Sequence, residues 1–318
     1  MALVLAAASL PAQVEQYQLL VARGTALDHY GDYRGAIDHF RRALELIDRH
    51  NLGDWSRATT LNLMAMSYDE LGQPGEAIHI YRRSLTLIEK VRGRDSLDYA
   101  TVLGNLAADF NHTGQKKAAE AMLREVLKIF ESHAPVDEVR LAITRSILAP
   151  IVLARGDLRE GEQLLVDSIA VFEKYPGNTR QLPAALNNLG VLRRDQKRPQ
   201  EAATYFRNAV DILEAEYGAD HSKILQPLSN LALTYFELGR VRESGQILER
   251  ALAIGEKSLG TEHVRYGAVL LNYAAYLKRT GRKNEAKQVE QRGKSVLTDA
   301  ARRNGIGQTI DTWAFRQK

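Results

Sequence analysis

The side chains that most often perform catalysis or bind metals are scattered along this chain. The eight histidines form no HExxH pair and no other short metal-binding spacing. No sequence resembles a nucleophile elbow, a dinucleotide-binding turn or a kinase signature. Gly293-Lys294-Ser295 matches the end of a phosphate-binding loop, but Gln288 replaces the first glycine of that motif, and the segment lies on a predicted helix. The chain has no cysteine, which excludes disulfides and thiolate metal sites. We therefore predict no enzyme, no cofactor and no metal site.

The elements that must position any functional residues repeat along the chain. A turn position, glycine in six of seven cases, recurs every 41 or 42 residues. The seven turn positions are Gly31, Gly72, Gly114, Gly156, Lys197, Gly239 and Gly281. Apolar residues spaced i, i+3/4, i+7 on both sides of each turn predict two amphipathic helices, helix A and helix B. Seven hairpins in register predict an all-α repeat fold instead of separate globular domains.

Each predicted hairpin carries a small residue on both of its helices. Seven residues before the turn stand Gly24, Ala65, Ala107, Ala149, Gly190, Ala232 and Ala274. Five residues after it stand Ala36, Ala77, Ala119, Gly161, Ala202, Ser244 and Ala286. Nine residues after it stand Phe40, Tyr81, Leu123, Leu165, Phe206 and Leu248, until Glu290 ends the series. Because only small side chains let two backbones approach closely, we predict that the helices cross at the small positions, with the bulky residues filling the space beyond.

Small, aromatic, turn glycine, small and bulky residues at these offsets resemble the tetratricopeptide repeat. The period near 42 and the segments at 217–221 and 259–263 resemble the long repeats of kinesin light chains. The resemblance covers about residues 14–297 and implies a right-handed α-α superhelix (solenoid) of about seven hairpins, each burying its apolar face on its neighbours. It says little about function, because such repeats support many different binding sites.

The resemblance also implies that helix A of each repeat lines a concave groove. Nine residues before the turn, four repeats carry Asn105, Asn188, Asn230 and Asn272. A carboxamide both donates and accepts hydrogen bonds, so it can pair with the backbone of any peptide. The spacing resembles the asparagine rows by which kinesin light chains hold a peptide. A role in helix packing fits the same positions, and both interpretations stay open.

Charged side chains divide the predicted groove. The first two repeats contribute Asp28, His29, Asp69 and Glu70, and later repeats contribute Arg194, Lys278 and Arg279 beside Phe236. Residues 279–318 carry a net charge of +6, whereas the whole chain carries +4. Arginine pairs well with carboxylates, so the basic end favours acidic or carboxylate-ended peptides, with a solvated polar cap as the alternative. The cations are not clustered with aromatic residues, which argues against a nucleic-acid partner.

We therefore predict a non-catalytic scaffold for protein-protein interaction that binds an extended peptide or a partner helix. Its predicted groove residues are Asn105, Asn188, Asn230, Asn272, Arg194, Phe236, Lys278 and Arg279. The alternative is a regulatory module that binds a short peptide or small ligand and changes shape about the fourth repeat, where Pro150 falls inside helix A. The sequence identifies neither the partner nor the oligomeric state.

Two segments lie outside the predicted repeats. Residues 1–13 are apolar but shorter than the roughly 20 residues of a membrane span. They resemble a secretory signal without its basic start, which predicts export to the periplasm or beyond; a short helix on the first repeat, in a cytoplasmic protein, is the alternative. In residues 298–318, the side chains of Ile310, Trp313 and Phe315 predict either packing on the last repeat or a recognition segment for a partner.

Overall fold

The computed structural model describes residues 2–175 and 181–304, with side chains from residue 12 onward and up to residue 302. Within these ranges the chain forms fourteen α-helices and no β-strand, as the repeat pattern predicts. The predicted linker at 176–180 and the tail at 305–318, with Ile310, Trp313 and Phe315, lie outside the described residues. None of the described helices is both long enough and apolar enough to cross a membrane.

The fourteen helices form seven consecutive hairpins. Their bounds are α1 (Ala2–His29), α2 (Tyr33–His50), α3 (Gly53–Glu70), α4 (Pro74–Arg92), α5 (Leu97–His112), α6 (Lys116–Ser132), α7 (Glu138–Arg155), α8 (Leu158–Lys174), α9 (Leu182–Asp195), α10 (Pro199–Tyr217), α11 (Leu225–Glu237), α12 (Val241–Leu259), α13 (Val264–Arg279) and α14 (Lys283–Asn304). Odd-numbered helices are therefore helix A of each repeat, and even-numbered helices are helix B. Pro74 and Pro199 lie in the first turn of their helices, where proline loses no hydrogen bond.

The turn inside each hairpin has the left-handed backbone that its glycine predicts. All six turn glycines have positive φ, between 75° at Gly72 and 102° at Gly156. Lys197, which stands at the turn of the fifth repeat, also adopts positive φ, at 62°. The next residue closes the helix end, as where the N–H of Gln73 donates to the carbonyl of Tyr68 at 2.9 Å. The turn conformation is therefore kept even where a side chain makes it costly.

The small residues lie where the two helices of a hairpin cross. Ala36, Ala65, Ala107, Ala202 and Ser244 are fully buried. Glycine replaces alanine on helix A in the two repeats whose partner residue is phenylalanine: a methyl group on Gly24 would lie 2.6 Å from the ring of Phe40, and one on Gly190 would lie 2.7 Å from the ring of Phe206. The prediction of close crossings is therefore confirmed.

Successive helices A form the inner layer of the solenoid. Each odd-numbered helix from α1 to α11 contacts the next odd-numbered helix as well as its own partner. The side that brings successive helices A together is the side of smaller radius, so these helices carry the concave face. One buried core runs from Ala36 to Val152, and separate clusters continue it from Ala142 onward. Helix α7, which continues through Pro150, belongs to both parts.

The solenoid curls far enough for its ends to meet. The turn of the first repeat lies against the start of the sixth, where the Tyr33 hydroxyl lies 3.4 Å from that of Ser222, 189 residues away. The turn of the second repeat lies against the start of the seventh, where His263 Nε2 donates to the Glu70 carbonyl at 3.2 Å. Each repeat of the first pair thus touches the repeat five places further on. We call this region, around Gly31, Gly72, His221 and His263, the inter-turn contact.

Candidate functional site

The predicted asparagines line the inner layer, and two of them join neighbouring repeats. The Asn105 carboxamide donates to Asn62 Oδ1 at 3.1 Å, and the Asn230 carboxamide donates to Asn187 Oδ1 at 2.9 Å. In each pair the acceptor stands ten residues before its turn, in the preceding repeat. Asn62 and Asn187 were not among the predicted groove residues. These bonds give the asparagines a packing role, because each connects two successive helices A.

The other two predicted asparagines differ in exposure. Asn188 is half-buried, whereas its neighbour Asn187 is only 4% exposed. Asn272 is 9% exposed, and its Oδ1 has no hydrogen-bond partner among the described residues. Ser229 occupies the position in the sixth repeat that Asn187 occupies in the fifth, and its hydroxyl is likewise buried without a described partner. A serine side chain is too short to replace asparagine in this hydrogen bond. The sixth and seventh repeats therefore lack the carboxamide bond that joins the fifth and sixth.

The predicted basic and aromatic residues lie on the last three repeats. Arg194 is 6% exposed, and its guanidinium lies 6.0 Å from the centre of the Phe206 ring, so it belongs largely to the packing. Lys278 and Arg279 are exposed on α13. The Arg279 guanidinium lies 5.5 Å from the centre of the Phe236 ring, and Tyr276 meets the same ring edge-on. The fold therefore brings Phe236 and Arg279 together, and their role in binding stays a prediction.

The acidic residues of the first two repeats face cations of the last two repeats. Glu70 Oε2 lies 2.8 Å from the guanidinium of Arg265, and Glu70 Oε1 lies 4.0 Å from the Lys223 ammonium. Burial raises the pKa of Glu70, but Arg265 and Lys223 outweigh it and hold that pKa below its ordinary value. Asp28, half-buried beside Ser67, has a raised pKa because of desolvation. The acidic side chains of the first repeats and the cations of the last repeats therefore attract each other across the inter-turn contact.

Two histidines fill the same place in equivalent repeats. His221 and His263 each precede a helix A, and the Nδ1 of each accepts the N–H two residues on, at 3.3 Å and 3.0 Å. Desolvation lowers the pKa of both, that of His263 to about 4. Both rings also lie against turn glycines, His221 against Gly31 and His263 against Gly72. Sequence reasoning found these segments only as a family signature and did not predict that they join distant repeats.

A third group of titratable residues lies beside this contact on α3 and α5. His112 Nδ1 lies 3.4 Å from Asp69 Oδ1 and 4.0 Å from Asp109 Oδ1. Burial and the neighbouring Asp69 raise the pKa of Asp109 well above its ordinary value. Asp69 was predicted to face the groove, but Asp109 and His112 were missed. Their three-residue spacing on a helix was the only available signal, because Asp69 joins them from the previous repeat.

The arrangement defines an α-helical repeat fold with polar side chains on its inner layer. The family model for the tetratricopeptide repeat matches residues 56–132, 140–215, 181–243 and 223–298, so the chain belongs to the tetratricopeptide repeat family. A curated relative is Protein KINESIN LIGHT CHAIN-RELATED 3 of Arabidopsis thaliana, 23% identical over 194 residues. That match covers 60% of this chain and 30% of the relative, so the chain spans less than a third of that protein's length.

Solved structures share the fold over most of the chain. A Rap protein complexed with Competence and Sporulation Factor has a TM-score of 0.72 at 16% identity, over 90% of this chain and 76% of that one. NprR in complex with its cognate peptide NprX has a TM-score of 0.70 at 16% identity, covering 90% and 78%. Apo NprR from B. thuringiensis has a TM-score of 0.63 at 17% identity, covering 90% and 77%. These likenesses establish the superhelical architecture.

Proposed function

We propose that this protein is a non-catalytic interaction scaffold that binds an extended peptide along the concave face of repeats five to seven. The observation that carries the proposal is the row of carboxamides on successive helices A. The side-chain N–H₂ of Asn230 donates to Asn187, so the carbonyl oxygen of Asn230 takes no part in that hydrogen bond. Asn188 is half-buried one residue from that pair. Carboxamides repeated along a groove match the repeat of peptide bonds in an extended chain.

The charge beside this row indicates the kind of peptide. Lys278 and Arg279 are exposed, and Phe236 lies between Arg279 and Tyr276. A guanidinium next to an aromatic ring offers a bidentate partner for a carboxylate together with an apolar surface. We therefore expect a peptide with an acidic side chain or a free C-terminal carboxylate next to an apolar residue. The structural relative NprR was solved with its cognate peptide, which supports a peptide as the class of ligand.

The experiment separates binding from packing at two adjacent asparagines. Peptides are selected from a displayed random library on the full chain, and the affinity of the best one is measured by fluorescence anisotropy. Asn188→Ala should weaken binding by about 5- to 10-fold, the effect of about 1 kcal/mol for one lost hydrogen bond, with unchanged thermal stability. Asn187→Ala, the matched control, should lower stability because the donor of Asn230 loses its acceptor. Unaltered affinity in Asn188→Ala would contradict the proposed row.

A second function, a regulatory module that changes shape, is favoured by the inter-turn contact. Hydrogen bonds and an ion pair across that contact join residues at least 189 positions apart, so its opening would break no contact within a hairpin. The chain also has the higher TM-score with the peptide complex of NprR than with apo NprR. Small-angle scattering with and without the selected peptide distinguishes the two functions. A scaffold keeps its radius of gyration, whereas a switch changes it.

A further inference from the structure

We propose that Asp69, Asp109 and His112 form a binding site for one divalent transition-metal ion, with Zn²⁺ as the best-suited probe. One ligand atom of each residue lies within 4.8 Å of the other two. The imidazole Nδ1 of His112 lies 3.4 Å from Asp69 Oδ1 and 4.0 Å from Asp109 Oδ1. Ligands about 2.0–2.2 Å from a tetrahedral zinc ion are separated by roughly 3.4 Å, so small side-chain rotations suffice to bring all three onto one ion.

A second observation concerns the buried carboxylate. The Asp109 side chain is only 2% exposed, and its Oδ2 has no hydrogen-bond partner among the described residues. Burial and the neighbouring Asp69 raise the pKa of Asp109 and favour its neutral acid when no cation is present. A bound metal ion would displace that proton and satisfy the buried oxygen that has no partner. Asp109 lies one turn before His112 on α5, so the two side chains reach the same place.

The neighbouring charges leave this place available to a cation. The guanidinium of Arg265 is held by Glu70 at 2.8 Å, and its charge also acts on Asp69 and His112, whereas the Lys223 ammonium faces Glu70. Asp28, a further carboxylate of the inner layer, accepts a hydrogen bond from the Ser67 hydroxyl at 2.5 Å. Asp69 and Asp109 therefore remain as the pair that faces the imidazole. His112 is 55% exposed at its side chain, which gives an ion a route from solvent.

The ligand types select the metal. Imidazole nitrogen favours zinc and other first-row transition ions, whereas Mg²⁺ and Ca²⁺ prefer oxygen ligands alone. Three protein ligands leave at least one coordination position open, as in zinc sites that bind a further ligand. Because Asp69 lies on α3 while the other two residues lie on α5, a bound ion would tie the second repeat to the third.

The test measures metal binding to the full chain by isothermal titration calorimetry. We expect one Zn²⁺ per chain with a dissociation constant in the micromolar range or tighter, a thermal midpoint that rises with Zn²⁺, and at least 50-fold weaker binding of Mg²⁺. His112→Ala should weaken Zn²⁺ binding at least 50-fold. His79→Ala, which removes an exposed histidine of α4, is the matched control and should bind like the wild type.

Asp109→Asn keeps the proposal testable if His112→Ala does not fold. Asparagine is neutral and close in shape to the protonated acid, so the variant should fold about as stably as the wild type without metal and lose the Zn²⁺-dependent rise in thermal midpoint. Co²⁺ provides a spectroscopic check, because its visible absorption bands report the ligand set and should disappear in Asp109→Asn. A wild type that binds no Zn²⁺, or Zn²⁺ binding that survives in both variants, would overturn the proposal.

Discussion

The carboxylate of Glu70 lies 2.8 Å from the guanidinium of Arg265, although 195 residues separate them along the chain. Glu70 is the last residue of helix A of the second repeat, and Arg265 lies in the first turn of helix A of the seventh. The side chains are 24% and 35% exposed, so the pair is only partly screened by solvent. The bond therefore joins the two ends of the superhelix and closes one of its turns.

Removal of Arg265 should open the inter-turn contact. Arg265→Ala removes the cation that offsets the neighbouring negative charges of Glu70 and Asp69. We therefore expect a loss of about 1–3 kcal/mol in the free energy of unfolding. The radius of gyration measured by small-angle scattering should increase. Lys257→Ala breaks an exposed pair with Asp220 and serves as the control, with a much smaller expected loss because solvent screens that pair. An unchanged radius in Arg265→Ala would show that other contacts hold the turn closed.

Acid should weaken the same contact through His263. Its pKa in the folded protein is about 4, below the ordinary 6.5, because desolvation by burial disfavours the charged ring, with Arg265 adding to the effect and Glu70 and Asp69 opposing it. Between these values the unfolded chain binds more protons than the folded one. Stability from the neutral ring is therefore complete above pH 6.5 and is lost as the pH falls towards 4, by up to about 3 kcal/mol.

The measurement is the free energy of unfolding against pH for the wild type and His263→Gln. Glutamine stays neutral throughout, so the variant should lose less stability between pH 6.5 and pH 4. Carboxylates titrate in both proteins, and the difference between the two curves isolates the histidine. Parallel curves would mean that His263 titrates alike in the folded and unfolded chains.

The glycine-phenylalanine pairs predict a double-mutant cycle. Gly190→Ala places a methyl group 2.7 Å from the Phe206 ring, and we expect a loss of about 1–3 kcal/mol in stability. Phe206→Leu in the same chain recreates the alanine-leucine pair of Ala107 and Leu123, so it should recover part of that loss. Gly104→Ala is the control: its methyl group would meet only Val126 at 4.0 Å, and we expect a gain of about 0.5–1 kcal/mol. Strictly additive effects would rule out the pairing.

Lys197 is expected to be replaceable by glycine with a gain in stability. Its φ of 62° is unfavourable for a residue with a side chain, so Lys197→Gly should raise the thermal midpoint and add up to about 1 kcal/mol. The reverse change at an equivalent turn, Gly239→Ala, should cost a similar amount, because a methyl group there would meet nothing within 4 Å and only the backbone conformation matters. A loss of stability in Lys197→Gly would indicate that the lysine side chain has a role at this turn.

The sequence alone determined the helical hairpins of this protein. A hairpin depends on residues within about 40 positions, and its requirements are local: an apolar stripe, a small pair at the crossing and a turn with positive φ. These requirements appear in the sequence as residue types that recur with the repeat. They correctly predicted Ala36 at a helix crossing, Gly72 at a turn and Pro199 in the first turn of a helix B. The same periodicity placed the asparagines on helix A, but it did not reveal that Asn105 and Asn230 bond to Asn62 and Asn187 in the preceding repeats.

Only the tertiary structure decided which distant repeats meet. Small rotations between successive hairpins add up along the solenoid, and no single repeat encodes their sum. That sum brings His263 against Gly72 and Arg265 against Glu70, and it surrounds Asp69, Asp109 and His112 with charged neighbours. The sequence shows which side chains each repeat presents, whereas the superhelical geometry determines which of them come together, because contacts across nearly 200 residues leave no periodic trace in the chain.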